Sequence, residues 1–185
     1  GGAELECPRR RFAVEAPEGW TQGRTLYGGM TAALCAEAGR RAFPELPPLR
    51  SAQFAFTGAA SGRLRFAPSL IRQGRSSAFV AVDGVSEGGQ VVRALFAHGA
   101  ARESRVAHDS ATGPAAPKPA DCAPFFEGPR GGFFQNFEMR LAAGARPFSP
   151  DAEPGFAVWV RHLDDAGVDP AVSLLALADS LPPAA

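Results

Sequence analysis

The chain has 185 residues, of which 45% are apolar, and its formal net charge is +0. This apolar content can build a folded core, and the length suits one large domain or two small ones. The balanced charge argues against nucleic acid or an anionic membrane as the main partner. We find no signal-peptide pattern, no apolar run of membrane-spanning length and no disulfide framework among the three cysteines. These features predict a cytoplasmic protein, and the spacing of cysteines and histidines predicts no metal site.

The first half of the chain contains a predicted helix over residues 31–43, which Pro44 ends because proline cannot continue a helix. Small and apolar side chains occupy nearly every side of it, which is typical of a buried helix. Its only charged residues are Glu37, Arg40 and Arg41. Gly28 and Gly29 precede the helix and leave its first backbone N–H groups uncovered, so these groups could meet a ligand.

Five segments around this helix predict β-strands, one before it and four after it. They cover residues 11–16, 49–56, 64–71, 76–85 and 91–101. Glu87-Gly88-Gly89 predicts a tight hairpin between the last two strands. Pro68 predicts a sheet edge or a bulge, because proline has no N–H for the sheet ladder. This order predicts an α+β unit in which an antiparallel sheet wraps round one helix.

The second half begins the same order again after a change in composition. Residues 104–129, rich in alanine and proline, predict a linker. Further strands are expected at residues 132–141 and 156–163. Asp169-Pro170 predicts the start of a helix over residues 170–181, because Asp caps helices and proline suits the first helical position.

Only four residues follow this second predicted helix, whereas four strands follow the first. The helix would then expose a large apolar patch. The leucines concerned are Leu174, Leu175, Leu177 and Leu181. We therefore expect further strands from another fragment, a partner chain or the same chain. We also expect a homo-oligomer, because unpaired strand edges tend to pair.

Three stretches, in this order and spacing, resemble a known family. The first is G-R-T-L-Y-G-G-M at residues 23–30. The second joins L-R-S-A-Q-F-A-F at 49–56 to R-Q-G-R-S-S-A-F at 72–79. The third joins F-A-V-W-V-R-H-L at 156–163 to L-L-A-L-A-D-S-L-P-P-A at 174–184. Together they resemble the double hot-dog acyl-CoA thioesterases, the type II thioesterase-like group.

The resemblance implies an α+β double hot-dog fold whose second hot-dog is incomplete in this chain. Residues 1–103 would form the first hot-dog, residues 104–129 the linker, and residues 130–185 the N-terminal part of the second. The implied activity is hydrolysis of acyl-CoA thioesters to free acid and CoA by a water activated at an aspartate. CoA would enter as part of the substrate, with no other cofactor.

Asp179 matches the family's catalytic aspartate near the end of the second helix. The family completes this site with a Thr and a Gln from later strands, and those positions would lie beyond Ala185. Residue chemistry also suits Asp179, because a carboxylate among apolar side chains has a raised pKa and is a better base. The alternative is that Asp179 caps the loop after the helix or faces solvent.

Tyr27, Gly28, Gly29 and Met30 are the predicted substrate-binding residues. The two glycine amides could bind the carbonyl oxygen, helped by the helix dipole, or the glycines could serve close packing. Tyr27 could donate to the acyl carbonyl or only pack. Glu37 is interpreted as a structural ion pair with Arg41, four residues on.

The alternative function is a non-catalytic hot-dog protein that binds acyl-CoA or an acyl chain. A hydratase or dehydratase is the third possibility, and it would need an Asp–His dyad that we do not find on the appropriate helix.

Overall fold

The computed structural model describes residues 11–113, 115–147, 149, 155–164 and 166–182. Its strands and helices, in chain order, are β1 (Phe12–Glu15), β2 (Thr21–Gln22), β3 (Thr25–Leu26), α1 (Gly28–Ala42), β4 (Leu49–Phe56), β5 (Arg63–Gln73), β6 (Ser77–Ser86), β7 (Gly89–Gly99), β8 (Ala123–Pro124), β9 (Phe137–Gly144), β10 (Phe156–His162) and α2 (Pro170–Leu177). Two short 3-10 helices cover Pro119–Asp121 and Gly132–Asn136. No helix in these ranges is long and apolar enough to cross a bilayer.

The first unit is a five-stranded antiparallel sheet in the order β1-β5-β6-β7-β4, packed against α1. Alternate residues of β6 are buried, as expected for a strand with one face on the core. Gly39 of α1 lies against Val80 and Val82 on that face. The predicted antiparallel sheet round a buried helix is therefore confirmed.

A local signal placed the hairpin between β6 and β7 correctly. Ser86 pairs with Gly89, so Glu87 and Gly88 form the predicted tight hairpin. Pro68 pairs with Val82 inside β5, beyond residues 63–66 where β1 pairs with the other side of the strand. Pro68 thus lies where one side of β5 has no strand partner among the described residues, which suits a residue without an N–H.

The second unit is a three-stranded antiparallel sheet in the order β10-β9-β8. Its short strand β8 lies inside the segment predicted as a linker, where Ala123 pairs with Leu141. Residues 132–136, predicted as strand, form a 3-10 helix instead. Asn136 explains the difference, because its Nδ2 donates to the Phe133 oxygen at 3.1 Å and to the Gly19 oxygen at 2.8 Å.

Helix α2 begins as predicted but ends earlier. Asp169 Oδ1 accepts from the Ala171 amide at 2.9 Å and caps the first turn. The helix ends at Leu177 rather than at residue 181, and the Ser180 amide then bonds to the Leu177 oxygen at 3.1 Å in a turn. The expected apolar exposure is found at Leu174, which is 64% exposed, and at Leu181, which is 40% exposed.

The two units share their cores. Val172 and Ala176 of α2 are buried in the core that α1 forms with the first sheet. Tyr27, from the first unit, is buried in an aromatic core built by the second unit. Its other buried members are Phe125, Phe133, Phe137 and Met139. This exchange brings the start of α1 and the end of α2 together.

Candidate active site

The first turn of α1 is open to a hydrogen-bond acceptor. The amide of Thr31 makes the first intrahelical bond, to the Tyr27 oxygen at 3.1 Å. The amides of Gly28, Gly29 and Met30 therefore precede the hydrogen-bond ladder of the helix. The Tyr27 side chain does not cap these amides, and no acidic residue lies in this first turn. The positive end of the helix dipole can thus receive a negative group from elsewhere.

Asp179 supplies that negative group from the turn after α2. The backbone N–H of Gly29 interacts with its carboxylate. Oδ2 of Asp179 lies 2.6 Å from the point where a β-carbon on Gly28 would stand, so only glycine leaves room for this approach. The structure therefore brings together Asp179, Gly28 and Gly29, three of the residues that the sequence predicted for one site.

The charge on Asp179 is less favourable here than in water. Burial is the main cause and raises the pKa of the carboxyl, while the N–H of Gly29 acts in the opposite direction. Asp179 is nevertheless exposed at its outer side. A carboxylate with a raised pKa that still reaches solvent can accept a proton from a bound water.

Tyr27 is buried in the aromatic core of the second unit and interacts electrostatically with Asp179. It is 1% exposed, and its hydroxyl donates to the backbone oxygen of Ala176 at 2.8 Å. Its ring stacks on Phe133 with centroids 4.0 Å apart and planes 1° apart. Burial, and then the charge of Asp179, raise the pKa of this phenol well above its usual range. The hydroxyl proton of Tyr27 is therefore already used in a hydrogen bond to the protein backbone.

Met30 lines a cavity of about 330 Å³ between α1 and α2. Its apolar walls come from Trp20, Met30, Ala33, Leu34, Val172 and Ala176. Charged side chains also line it, namely Glu37, Arg40, Arg41, Asp164 and Asp169. Ala176, whose backbone oxygen accepts the Tyr27 hydroxyl, also lines this cavity, whereas Asp179 does not. The structure therefore places Met30, the residue after Gly29, on the wall of this cavity.

Glu37 is held in the predicted ion pair. Its Oε1 lies 2.6 Å from Nε of Arg41, and its Oε2 lies 2.7 Å from Nε of Arg40. The hydrogen bond from Arg40 is the main cause that lowers the pKa of this carboxyl. Arg40 was not part of the prediction, although residues three apart on a helix are also neighbours.

Two histidine side chains form hydrogen bonds within the fold. Nδ1 of His98 lies 2.9 Å from the Pro47 oxygen, and Nε2 of His162 lies 3.1 Å from the Ser173 oxygen. Within the described ranges, no three His, Cys, Asp or Glu side chains are arranged to hold a metal ion.

Sequence reasoning missed Phe133 and Ala176 as site residues. The density of phenylalanines between residues 125 and 137 signals an aromatic core. No sequence pattern signals that Tyr27 is the ring stacked on Phe133, or that Ala176 presents its backbone oxygen.

Two family models match the chain. An acyl-CoA thioesterase N-terminal domain matches residues 16–99, and an acyl-CoA thioesterase C-terminal domain matches residues 113–185. A comparison with curated proteins found no match.

Solved structures of similar fold come from several bacteria. A hot-dog protein of unknown function from Alicyclobacillus acidocaldarius is 23% identical with a TM-score of 0.81, covering 96% of this chain and 66% of its own. A thioesterase candidate from Novosphingobium aromaticivorans is 25% identical with a TM-score of 0.73, and the match covers 92% of this chain and 68% of that protein. A thioesterase II candidate from Thermobifida fusca is 21% identical with a TM-score of 0.73, and the match covers 94% of this chain and 69% of that protein.

The chain thus spans about two thirds of the length of these structures. The two family models follow each other in the order of the two structural units, and together they cover most of the residues. With the antiparallel sheet packed round α1, these matches show that the chain belongs to the double hot-dog acyl-CoA thioesterase family.

Proposed function

We propose that this protein hydrolyses acyl-CoA thioesters to free acid and CoA, with the attacking water activated at Asp179. The observation that carries the proposal is the Asp179 carboxylate, of raised pKa, set against the open first turn of α1. Membership of the acyl-CoA thioesterase family supports thioester hydrolysis in general.

In the proposed reaction, Asp179 accepts a proton from water as the water oxygen bonds to the thioester carbon. Negative charge then develops on the carbonyl oxygen, and backbone N–H groups in the first turn of α1 stabilise it. The amides that can do this belong to Gly28 and Met30, because the N–H of Gly29 already bonds to Asp179. The carbon–sulfur bond breaks next, and the proton held by Asp179 passes to the departing CoA thiolate. The products are the acid and CoA.

The cavity beside Met30 is the proposed place for the acyl chain. The apolar part of its wall, which includes Met30, Ala33 and Leu34, suits a hydrocarbon, and its volume of about 330 Å³ is at the small end of the usual range for ligand sites. Met30 and Ala176 would contact the acyl carbons nearest the thioester. A small cavity favours short or medium acyl chains.

The test is a thiol-release assay on a panel of acyl-CoA chain lengths. The protein should hydrolyse at least one of them, and Asp179→Asn should lose nearly all of that activity. Asp109→Asn is the matched control, because Asp109 lies exposed in a loop and bonds to a nearby amide. Equal activity of Asp179→Asn and the unchanged protein would overturn the proposal.

The second candidate is binding of acyl-CoA without hydrolysis. One observation favours it: among the described residues, the one hydrogen-bond partner of the Asp179 carboxylate is the backbone N–H of Gly29, so no second side chain helps to hold a water beside that carboxylate. Calorimetry with a thioether analogue of acyl-CoA separates the two candidates. Tight binding without release of thiol from the true thioesters would favour the binding protein.

We further propose a homo-oligomer. Strand β4 is at the edge of its sheet, and its outer side has no strand partner in the part of the chain that the structure describes. Phe56 on this strand is 53% exposed, and Leu174 of α2 is 64% exposed. Covering such surface favours association. A monomer at micromolar concentration in sedimentation would contradict it.

A further inference from the structure

The hydrogen bond between Tyr27 and Ala176 joins the start of α1 to the end of α2, next to Asp179. We propose that Tyr27 is a positioning residue, which holds the last turn of α2 so that the Asp179 carboxylate lies against the first turn of α1. The inference rests on the proposed role of Asp179 in hydrolysis. It assigns Tyr27 to alignment rather than to contact with substrate.

The turn that carries Asp179 is fixed on both sides. Before it, the Ala176 oxygen accepts the Tyr27 hydroxyl at 2.8 Å. After it, Ser180 is 2% exposed, and its amide bonds to the Leu177 oxygen. Asp179 itself is exposed, between the buried Ala176 and the buried Ser180. The direction of its carboxylate therefore depends on these anchors.

Tyr27 is itself held rigidly. Its amide donates to the Trp20 oxygen at 2.9 Å, and its ring stacks on Phe133. Gly29 leaves the space for its hydroxyl, since a β-carbon on Gly29 would stand 2.5 Å from Tyr27 Oη and 2.6 Å from the Ala176 oxygen. A rigid donor facing a backbone oxygen is suited to fixing a helix end.

The phenol and the carboxylate are also electrostatically coupled. After burial, the charge of Asp179 is the further cause that raises the pKa of Tyr27. Because Tyr27 is 1% exposed and already donates its proton, it has no free group for a substrate. The effect of the Asp179 charge on the Tyr27 pKa therefore depends on how close the carboxylate is to the phenol.

Tyr27 is the only tyrosine of the 185-residue chain, which gives a spectroscopic probe. Replacing it biosynthetically with 3-fluorotyrosine lowers the intrinsic phenol pKa, so its ionisation can be followed by ¹⁹F NMR in the folded protein. We expect the phenol pKa to fall in Asp179→Asn, because a nearby negative charge has been removed. An unchanged phenol pKa would show that the two side chains are apart and would overturn the inference.

Kinetics then test the alignment. Tyr27→Phe keeps the ring on Phe133 and removes only the hydroxyl. We expect kcat to fall roughly tenfold with KM nearly unchanged, since misalignment affects the chemical step and not the binding of substrate.

Thr31→Val is the matched control. The Thr31 hydroxyl is also buried on α1 and bonds to a backbone oxygen, that of Tyr27, at 3.2 Å. The Thr31→Val variant should lose about as much free energy of unfolding as Tyr27→Phe, but its kcat should stay the same. If both variants lower kcat equally, or if Tyr27→Phe leaves kcat unchanged, Tyr27 has no positioning role. If Asp179→Asn hydrolyses normally, the proposed function fails instead, and the NMR titration still reports the electrostatic interaction between Tyr27 and Asp179.

Discussion

Oδ2 of Asp179 lies 2.6 Å from the place of a β-carbon on Gly28, whereas a β-carbon on the neighbouring Gly29 would lie 2.6 Å from the backbone oxygen of Ala176. The two glycines of one motif thus make room for different partners. Gly28 accommodates the end of a side chain, which can move. Gly29 accommodates a helix backbone and the buried ring of Tyr27, which cannot move easily. Their alanine variants should therefore fail in different ways.

Gly28→Ala should lower hydrolysis while leaving the fold intact. The added methyl group displaces the Asp179 carboxylate, and a shift of this kind can cost on the order of a hundredfold in kcat. The free energy of unfolding should change by less than about 0.5 kcal/mol, because a solvent-facing side chain can rotate away. Thiol-release kinetics and urea denaturation measure the two effects. Gly131→Ala is the control, since its β-carbon meets nothing within 4 Å.

Gly29→Ala should destabilise the protein instead. Its methyl group would press on the Ala176 oxygen and on the Tyr27 ring, so α1 and α2 must move apart. Overpacking of this kind typically costs about 1–3 kcal/mol. Urea denaturation checks this, and a variant as stable as Gly28→Ala would contradict the observed contact.

Asp179→Asn should stabilise the protein at neutral pH. The carboxyl pKa is raised in the folded state, so the folded protein binds this proton more tightly than the unfolded chain does. Stability from this group is present below the unfolded pKa of about 3.9 and declines as pH rises through the raised value. The amide variant avoids this loss. Its gain in melting temperature should therefore appear at neutral pH and vanish at acid pH; a gain of equal size at both would contradict the pKa shift.

Gly39→Ala should stabilise the protein by about 0.5–1 kcal/mol. Alanine favours the helix, and its methyl group would meet Val82, Val80 and Phe96 at ordinary contact distances of 3.7–3.9 Å. Gly84→Ala is the opposite case, because its methyl group would lie 2.6 Å from Val92 Cγ1. Chemical denaturation of both variants should give shifts of opposite sign.

Asp169→Ala should cost about 1 kcal/mol, because Asp169 caps the first turn of α2 through the amides of Ala171 and Val172. Asp169→Asn should keep most of that stability, since Asn also caps helices. Thermal and urea unfolding of the pair would test the cap. Equal losses in both variants would point to the charge of Asp169 rather than to its hydrogen bonds.

The sequence by itself determined the elements whose signals are local. Pro44 ends the helix pattern, Glu87-Gly88 specifies the hairpin, and Asp169-Pro170 starts α2, each through residues a few positions apart. Apolar periodicity is likewise a local property, and it was enough to predict a buried α1 inside an antiparallel sheet. The family resemblance marked Asp179 as catalytic, but no residue pattern predicted its approach to Gly28 and Gly29.

Only the tertiary structure decided where α2 ends, what Tyr27 bonds to and how Asp179 approaches α1. Helix α2 ends at Leu177 although the apolar pattern of the sequence continues to Leu181. The Tyr27 hydroxyl donates to the backbone oxygen of Ala176, which is 149 residues away in the sequence. Residues 132–136 form a 3-10 helix because Asn136 bonds to the distant Gly19 oxygen. These features depend on contacts between residues far apart in sequence, and no local pattern of side chains encodes which distant backbone atom will be their partner.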